Sequence, residues 1–498
     1  MFAIDIRGLA AFRIGLGCVL LLDLINRAGD FAAHYGSRGV LPASVYFAEF
    51  ENHWHLSIHL FTTDTLSVLL FGVAIVAAIF LIIGWQTRLS TVVSWLLLIS
   101  LHSRNPFVLQ GGDDVLRALL FWALFLPLGA TASIDNMRRT ITDVDSNSGD
   151  DTNKQPPNTY HLSMATLCLT GQVILLYGFA SASKLANPVW WQEGLGVYYA
   201  LGVEQFTTRI GLWLRSLTEF VIALNYITLA AQISAPILLL IPIARQPIRM
   251  VLTPAMIALH LGFALAMRLG MFSLVIGVMW IPFLPSYVWD RLSQRWSATN
   301  LPPKRWLNKL RKRIRPQASN LRAITPSQES PVTSAVLACI FVYLLWWNLA
   351  GLDRGIFRMP VSLRLIGPTL RLEQRFKMFS NPPRWSQWFV VVGQRFDGTE
   401  IDVTNDHPPQ FAKPDLVSAT FKGQRWRKYM NKLGQKQGEA HRKHFGAYVC
   451  HRWESEHPSD PPLTSVKLIM MRQATPPPGK PRRPADRVLL TTIQCSTA

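Results

Sequence analysis

Ionisable side chains set among apolar residues are where this sequence has chemistry to offer, because burying a charge is costly. The first is Lys184, at the end of an apolar run in YGFASASKLANPVWWQEG, followed by Trp190, Trp191, Tyr198 and Tyr199. Stripping water from an ammonium disfavours its charged form, so an amine here has the chemistry of a general base. The bland alternative is a lysine that lays its stem on apolar surface and marks an interface. His260, in MIALHLGF, could relay a proton or hold a substrate oxygen; it could equally hydrogen-bond a neighbouring helix.

A third cluster, SRNPFVLQGGDDVLR, carries Arg104, Asn105, Asp113, Asp114 and Arg117. Gly111-Gly112 permit a tight turn, Asp113 suits a helix N-cap, and Arg117 stands at helical spacing from both aspartates. Capping and ion pairing account for that motif. Arg13, Asp23 and Arg27 in the first apolar run are expected to pair with groups elsewhere. His53, His55 and His59 in ENHWHLSIH share helical spacing, so one face could bind a metal, although packing beside Trp54 is the stronger reading. No nucleotide loop, zinc-ligand spacing or Gly-x-Ser-x-Gly elbow is present, and no metal ligand set is assigned.

The elements that must position these residues are read from hydropathy. The 498 residues are 49% hydrophobic and only 16% charged, against about a quarter charged in soluble domains. A helix crosses a ~30 Å bilayer core in about 20 apolar residues. Runs that qualify are 8–28, 65–84, 89–104, 113–129, 161–185, 214–244, 250–268, 270–287 and 332–352. The expected fold is an α-helical integral membrane bundle of about nine transmembrane helices, with eight or ten as alternatives. The run 214–244 carries Pro236 and Pro242 and reads as a broken helix or two segments. The first run contains Asp23 and Arg27 and lacks a cleavage site, so it is not a signal peptide.

Charge placement gives the orientation. With the N-terminus inside, inner loops hold sixteen Lys/Arg, ten of them in 288–331, against four outside (Arg38, Arg104, Arg209 and Arg268). The net charge of +20 divides into +8 over residues 1–352 and +12 over 353–498, where 24 Lys/Arg face 12 Asp/Glu. The basic stretch Lys304–Arg322 therefore reads as a topology determinant held near anionic headgroups rather than a nucleic-acid arm. No nucleic-acid partner is expected.

Residues 353–498 are polar and form a separate extracytoplasmic α+β domain. Arg384 to Val403 reads as a hairpin, with Trp388, Val390 and Val392 on one face and Asp397-Gly398 at the turn. Segments 422–434 and 437–452 read as basic helices, carrying Lys422, Arg425, Arg427, Lys428 and Lys432. They read as a solvated face, or one that meets headgroups or an acidic protein partner. Val466–Met471 and Val488–Ile493 read as further strands. Cys450 and Cys495 can pair in an oxidising exterior; Cys18, Cys168 and Cys339 read as packing residues.

Four segments in this order form a set: IRGLAAFRIGLGCVLLLDLINR, SRNPFVLQGGDDVLRALLFWALFLPLGATASID, YGFASASKLANPVWWQEG and ALHLGFALAMRLGMFSLVIGVMWIPFLP. With RFKMFSNPPRWSQWFVVVGQRFDGTEIDV after them, the chain resembles the HTTM (horizontally transferred transmembrane) domain proteins, bacterial relatives of vitamin K-dependent gamma-carboxylase. The resemblance implies a bacterial inner-membrane protein with its reactive site toward the outer face. In the carboxylase a lysine base deprotonates vitamin K hydroquinone, and oxygen then produces the strong base that prepares glutamate for CO2 addition. Lys184 matches that lysine, and His260 matches a functional histidine. Asn105 matches an asparagine, but Pro106 stands where a catalytic histidine is expected and Gln232 where relatives carry an acid. The resemblance implies deprotonation and epoxidation of reduced vitamin K or another quinone, or a carboxylase-like activity, with Lys184 as base, and these departures count against true protein carboxylation. Trp190, Trp191 and Tyr198 are then the expected substrate-binding aromatics. Two other functions fit the composition: a non-enzymatic membrane scaffold with a basic exterior domain, and a transporter, for which no inverted repeat is visible.

Overall fold

A computed structural model describes residues 2–50, 56–139, 160–298, 329–352, 356–374 and 376–495. The basic stretch Lys304–Arg322, together with His53 and His55, lies outside the described residues.

Each apolar run becomes helix. The bundle comprises α1 (Ile6–Ala28), α2 (Asp64–Ile83), α3 (Thr87–Arg104), α4 (Gly111–Ala123), α5 (Met164–Leu185), α6 (Thr218–Leu240), α7 (Arg245–Ala266), α8 (Phe272–Trp280), α9 (Ser286–Ala298) and α10 (Pro331–Leu352). Six of them, α1, α2, α5, α6, α7 and α10, are long and apolar enough to cross a membrane. α8, with the turn Ile281–Phe283, and α9 form a pair bent by 93°. The remaining two runs differ for physical reasons. α3 buries Ser90, Thr91, Ser94, Ser100, His102, Ser103 and Arg104, polar groups that lower its hydropathy; Arg104, for one, donates to the Leu41 and Gly36 carbonyls. α4 has 13 residues, about 20 Å at 1.5 Å per residue.

Of the two prolines in the 214–244 run, Pro236 does not break the helix and Pro242 follows its end. The break falls at Leu217, between a short helix Arg209–Ser216 and α6, which runs through Pro236 and ends before Pro242. Large apolar side chains stand exposed on the outer faces: Val68, Leu69 and Val73 on α2, Val251 and Leu265 on α7, Val332 and Val342 on α10. Such faces call for an apolar surrounding, as in a multi-pass membrane protein. Inside, small residues let helices close up. A Cβ on Gly17 of α1 would come within 2.6 Å of the Ile82 side chain and 3.0 Å of its backbone nitrogen.

After α10 a short helix, α11 (Val361–Leu370), folds back on it; Tyr343 Oη donates to the Leu363 carbonyl at 3.0 Å. The C-terminal unit contains β1 (Trp385–Arg395), β2 (Glu400–Asp402), α12 (Gln424–Leu433), α13 (Arg442–Glu456), β3 (Leu463–Ala474) and β4 (Asp486–Gln494). The sheet is antiparallel in the order β2-β1-β3-β4, with Val390 opposite Ile469. The hairpin turns at Asp397-Gly398; Gly398 takes φ +86°, and Asp397 accepts from the Thr399 N–H at 2.9 Å. Trp388, Val390 and Val392 share one buried face with Val417, Ile469 and Met471. The opposite face packs on α12 and α13 through Tyr429, Leu433, Phe445, Val449 and Trp453, in a core continuous with the bundle. Cys450 of α13 and Cys495 beyond β4 form a disulfide, with Cα atoms 5.7 Å apart.

Candidate functional site

Residues seven apart on a helix return to one face, and α5 sets Tyr177, Ser181 and Lys184 in such a stripe. Lys184 is 4% exposed, and among the described residues no carboxylate pairs with it. The Trp190 ring lies 5.2 Å from its Nζ. Ser181 Oγ is buried with no hydrogen-bond partner. Facing this stripe, His260 on α7 packs its ring against Tyr177 (6.0 Å between centroids), Phe263 (5.4 Å) and Phe272 (5.9 Å). Its Nδ1 is 2.9 Å from the Met256 carbonyl. A carbonyl only accepts, so Nδ1 carries the proton and Nε2 keeps a lone pair.

The chain positions Trp190 deliberately. α5 ends at Leu185, Asn187 caps the short helix Pro188–Trp191, and Asn225 of α6 donates to the Trp190 carbonyl at 2.7 Å. Trp190 Nε1 donates to the Phe379 carbonyl at 2.9 Å, tying this turn to the segment leading into the C-terminal sheet. The result is an amine without a counter-ion, an imidazole acceptor and an orphaned hydroxyl under an aromatic cover. That set can take up a proton from a weakly acidic guest.

The other expected residues go elsewhere. Asn105 is buried, but its amide is spent on backbone, donating to the His34 carbonyl at 2.8 Å and accepting from the Phe107 N–H at 3.1 Å. Trp191 is 48% exposed. Tyr198 lines a separate cavity with Glu204, Arg215 and Lys413, and its hydroxyl accepts from Arg215 at 2.9 Å. His59 turns inward, its Nδ1 2.7 Å from Ser100 Oγ, so it does not present a metal-binding face. Arg13 reaches the carbonyls of Leu128 and Ala132 at 3.1 and 2.6 Å.

A buried ionic network is the larger surprise. Arg27 of α1 donates to Asp23 at 2.7 Å and to Asp113 of α4 at 2.8 Å. Arg425 of α12 reaches the same carboxylates at 2.5 and 3.2 Å, and Tyr35 bonds Arg27. Asp113 sits at the third helical position, accepting from the Gln110 N–H at 2.8 Å, so Gln110 rather than Asp113 is the N-cap. Arg117 pairs with Asp114 at 2.7 Å, as their spacing implies. Donor atoms of Asp23, His102 and Asp113 lie within 4.8 Å of one another, the spacing of a metal site. Two guanidinium groups already hold those carboxylates, so the arrangement is an ion-pair network. The sequence marked Asp23 and Arg27 as needing partners. Arg425 was missed, since it reads as one of many basic residues; the signal was Trp426, Tyr429, Met430 and Leu433, which define a buried face beside it.

Fold and site together define a helical protein with membrane-length helices, roofed at one end by a small α+β domain. No family model, curated protein or solved structure matches the chain.

Proposed function

We propose that the chain is a multi-pass membrane protein of the HTTM class, related to vitamin K-dependent gamma-carboxylase, in which Lys184 deprotonates a lipid-soluble quinol. The observation that carries this reading is a buried lysine with no carboxylate partner among the described residues, covered by Trp190 and on the same helix stripe as Tyr177, whose ring packs on His260. A bound quinol would supply the oxidisable dihydroxy ring. The chain's part is to accept a proton at Lys184 Nζ, offer His260 Nε2 as a second acceptor, and exclude water beneath Trp190. The orphaned Ser181 Oγ and the surrounding rings suit a flat guest with hydroxyl groups. In this reading the protein crosses a bacterial inner membrane nine times, counting α3, α4 and the bent α8–α9 pair, with the N-terminus cytoplasmic and the C-terminal domain outside.

Purified protein given reduced vitamin K or menaquinone with oxygen is expected to form epoxide. Lys184→Ala should lower the rate by about 10²–10⁴-fold, the usual worth of a general base, without changing the melting temperature. Equal product from both proteins removes Lys184 as the base.

A further inference from the structure

Arg427 lies two residues after Arg425 on α12, yet its surroundings are opposite. It is 3% exposed and stacks on the Phe206 ring at 3.6 Å, and its Nε donates to Gln424 at 2.8 Å. Its Nη1 is buried with no hydrogen-bond partner, and among the described residues no carboxylate pairs with it. Lys428 follows, half-buried and, among the described residues, also without a carboxylate partner. The nearest acids, Asp113 and Asp114, are already taken by Arg27, Arg425 and Arg117. Burial pushes the Arg427 guanidinium down to about 9 and lowers Lys428 as well, with Arg427 as its closest repelling charge. An unpaired buried charge costs several kcal/mol, so Arg427, with the half-buried Lys428 beside it, stands where an anion is missing.

Both residues line a cavity of about 260 Å³ at the junction of the bundle and the C-terminal domain. One side of its wall is apolar, built from Leu269, Phe272, Met378 and Phe379. Pockets for whole small ligands run to about 300–1,000 Å³, so this one holds a head group and the first carbons of something longer. We propose that this cavity binds a phosphate group carried on an apolar body, with Arg427 and Lys428 on the phosphate oxygens and the phenylalanines on the body. A phosphate offers a charge near −2 and at least three acceptor oxygens, which matches two cations better than a single carboxylate does. The amides of Gln110 and Asn381 line the same cavity as further donors. The site does not depend on the role of Lys184, and either assignment can fail alone.

The test uses full-length protein in nanodiscs and in detergent. Two probes carry the phosphate: phosphatidic acid in a phosphatidylcholine disc, and hexyl phosphate in solution. Phosphatidylcholine alone and inorganic phosphate serve as controls. Native mass spectrometry should show retained phosphatidic acid, or melting should rise with hexyl phosphate; the first outcome assigns the lipid source and the second a soluble phosphoester. Arg427→Gln and Lys428→Gln should each weaken that binding about tenfold or more, corresponding to one lost charge-assisted hydrogen bond. Ligand-free Arg427→Gln should melt no lower than wild type, because it removes an unpaired buried charge. The proposal is overturned if neither phosphate probe binds, if inorganic phosphate or phosphatidylcholine does equally well, or if Arg427→Gln binds like wild type. A lower ligand-free melting temperature with binding intact would make Arg427 a structural stack on Phe206.

Discussion

Asp113 accepts from Arg27 at 2.8 Å and from Arg425 at 3.2 Å, so one carboxylate serves two buried guanidinium groups. Removing one member of such a network leaves charge buried and unpaired, at a cost of about 3–5 kcal/mol. Asp113→Ala is therefore expected to lower the melting temperature sharply, and Asp23→Ala similarly. Because Asp23 and Asp113 both serve Arg27 and Arg425, each single variant leaves one carboxylate in place, so the double variant should cost more than the sum of the single ones, which a double-mutant cycle in thermal unfolding reads directly. Additive losses would mean the two aspartates act separately. The sequence shows why such a network is only half legible. A charge inside an apolar run demands a partner, and that much is visible at Asp23 and Arg27. The partner Arg425 lies 402 residues from Asp23, and nothing local names it. Asn105 shows the converse: its position in the motif fits the family pattern, yet its amide is consumed by backbone.

At the scale of elements, α12 and α13 roof the bundle through aromatic contacts that include two buried imidazoles. His34, on the short helix Phe31–Tyr35, packs on Trp426 of α12 at 4.6 Å, and His441 packs on Phe107 at 4.4 Å. Burial pushes His34 down to about 3 and lowers His441 too. Asp30 opposes the His34 shift, but it is paired with Lys422 at 2.6 Å, while Arg425, Arg27 and Lys422 add to it. An unfolded histidine takes up its proton near 6.5. The docked state keeps His34 neutral, so stability is fully present above that value and falls as the pH drops from about 6.5 toward 3. Amide exchange across residues 376–495 should therefore quicken more at pH 5 than at pH 7.5, and His34→Phe should flatten that difference. Exchange with no pH dependence beyond its chemical rate would remove the imidazoles from the docking surface. The hairpin and the helices were legible because Asp397-Gly398 and the apolar spacing are local signals. The docking of α12 was not, since its six-residue stretch GQRWRK looks solvated until Trp426, Tyr429 and Leu433 meet the bundle.

Across the whole molecule, the +20 charge divides by use. Of the basic residues in 353–498, Arg384, Lys413, Lys422, Arg425 and Arg482 pair with carboxylates of the first 352 residues: Glu193, Glu204, Asp30, Asp23 and Asp113. Part of the tail's excess thus serves its own bundle, and Arg427 and Lys428 belong to the cavity rather than to an open basic face. That weakens the case for capture of an acidic protein by the domain surface. In the proposed nine-span reading the loop arginines and lysines of residues 1–352 would fix orientation, sixteen on one set of loops against four on the other. An N-terminus inside and a C-terminal domain outside require an odd number of crossings, and nine meets that condition. An outside location also suits the Cys450–Cys495 disulfide, which would be reduced in a cytoplasm. Single cysteines placed at exposed Gln410 and at exposed Arg88 distinguish the two sides, in a background where Cys18, Cys168 and Cys339 are alanine. A membrane-impermeant maleimide added to intact spheroplasts should label Gln410→Cys at once and Arg88→Cys only after lysis. The reverse pattern would invert the bundle and put the disulfide in a reducing compartment. Labelling of both before lysis would leave an even number of crossings between Arg88 and the C-terminal domain, which removes α3, α4 or the bent α8–α9 pair, or all three, from the count.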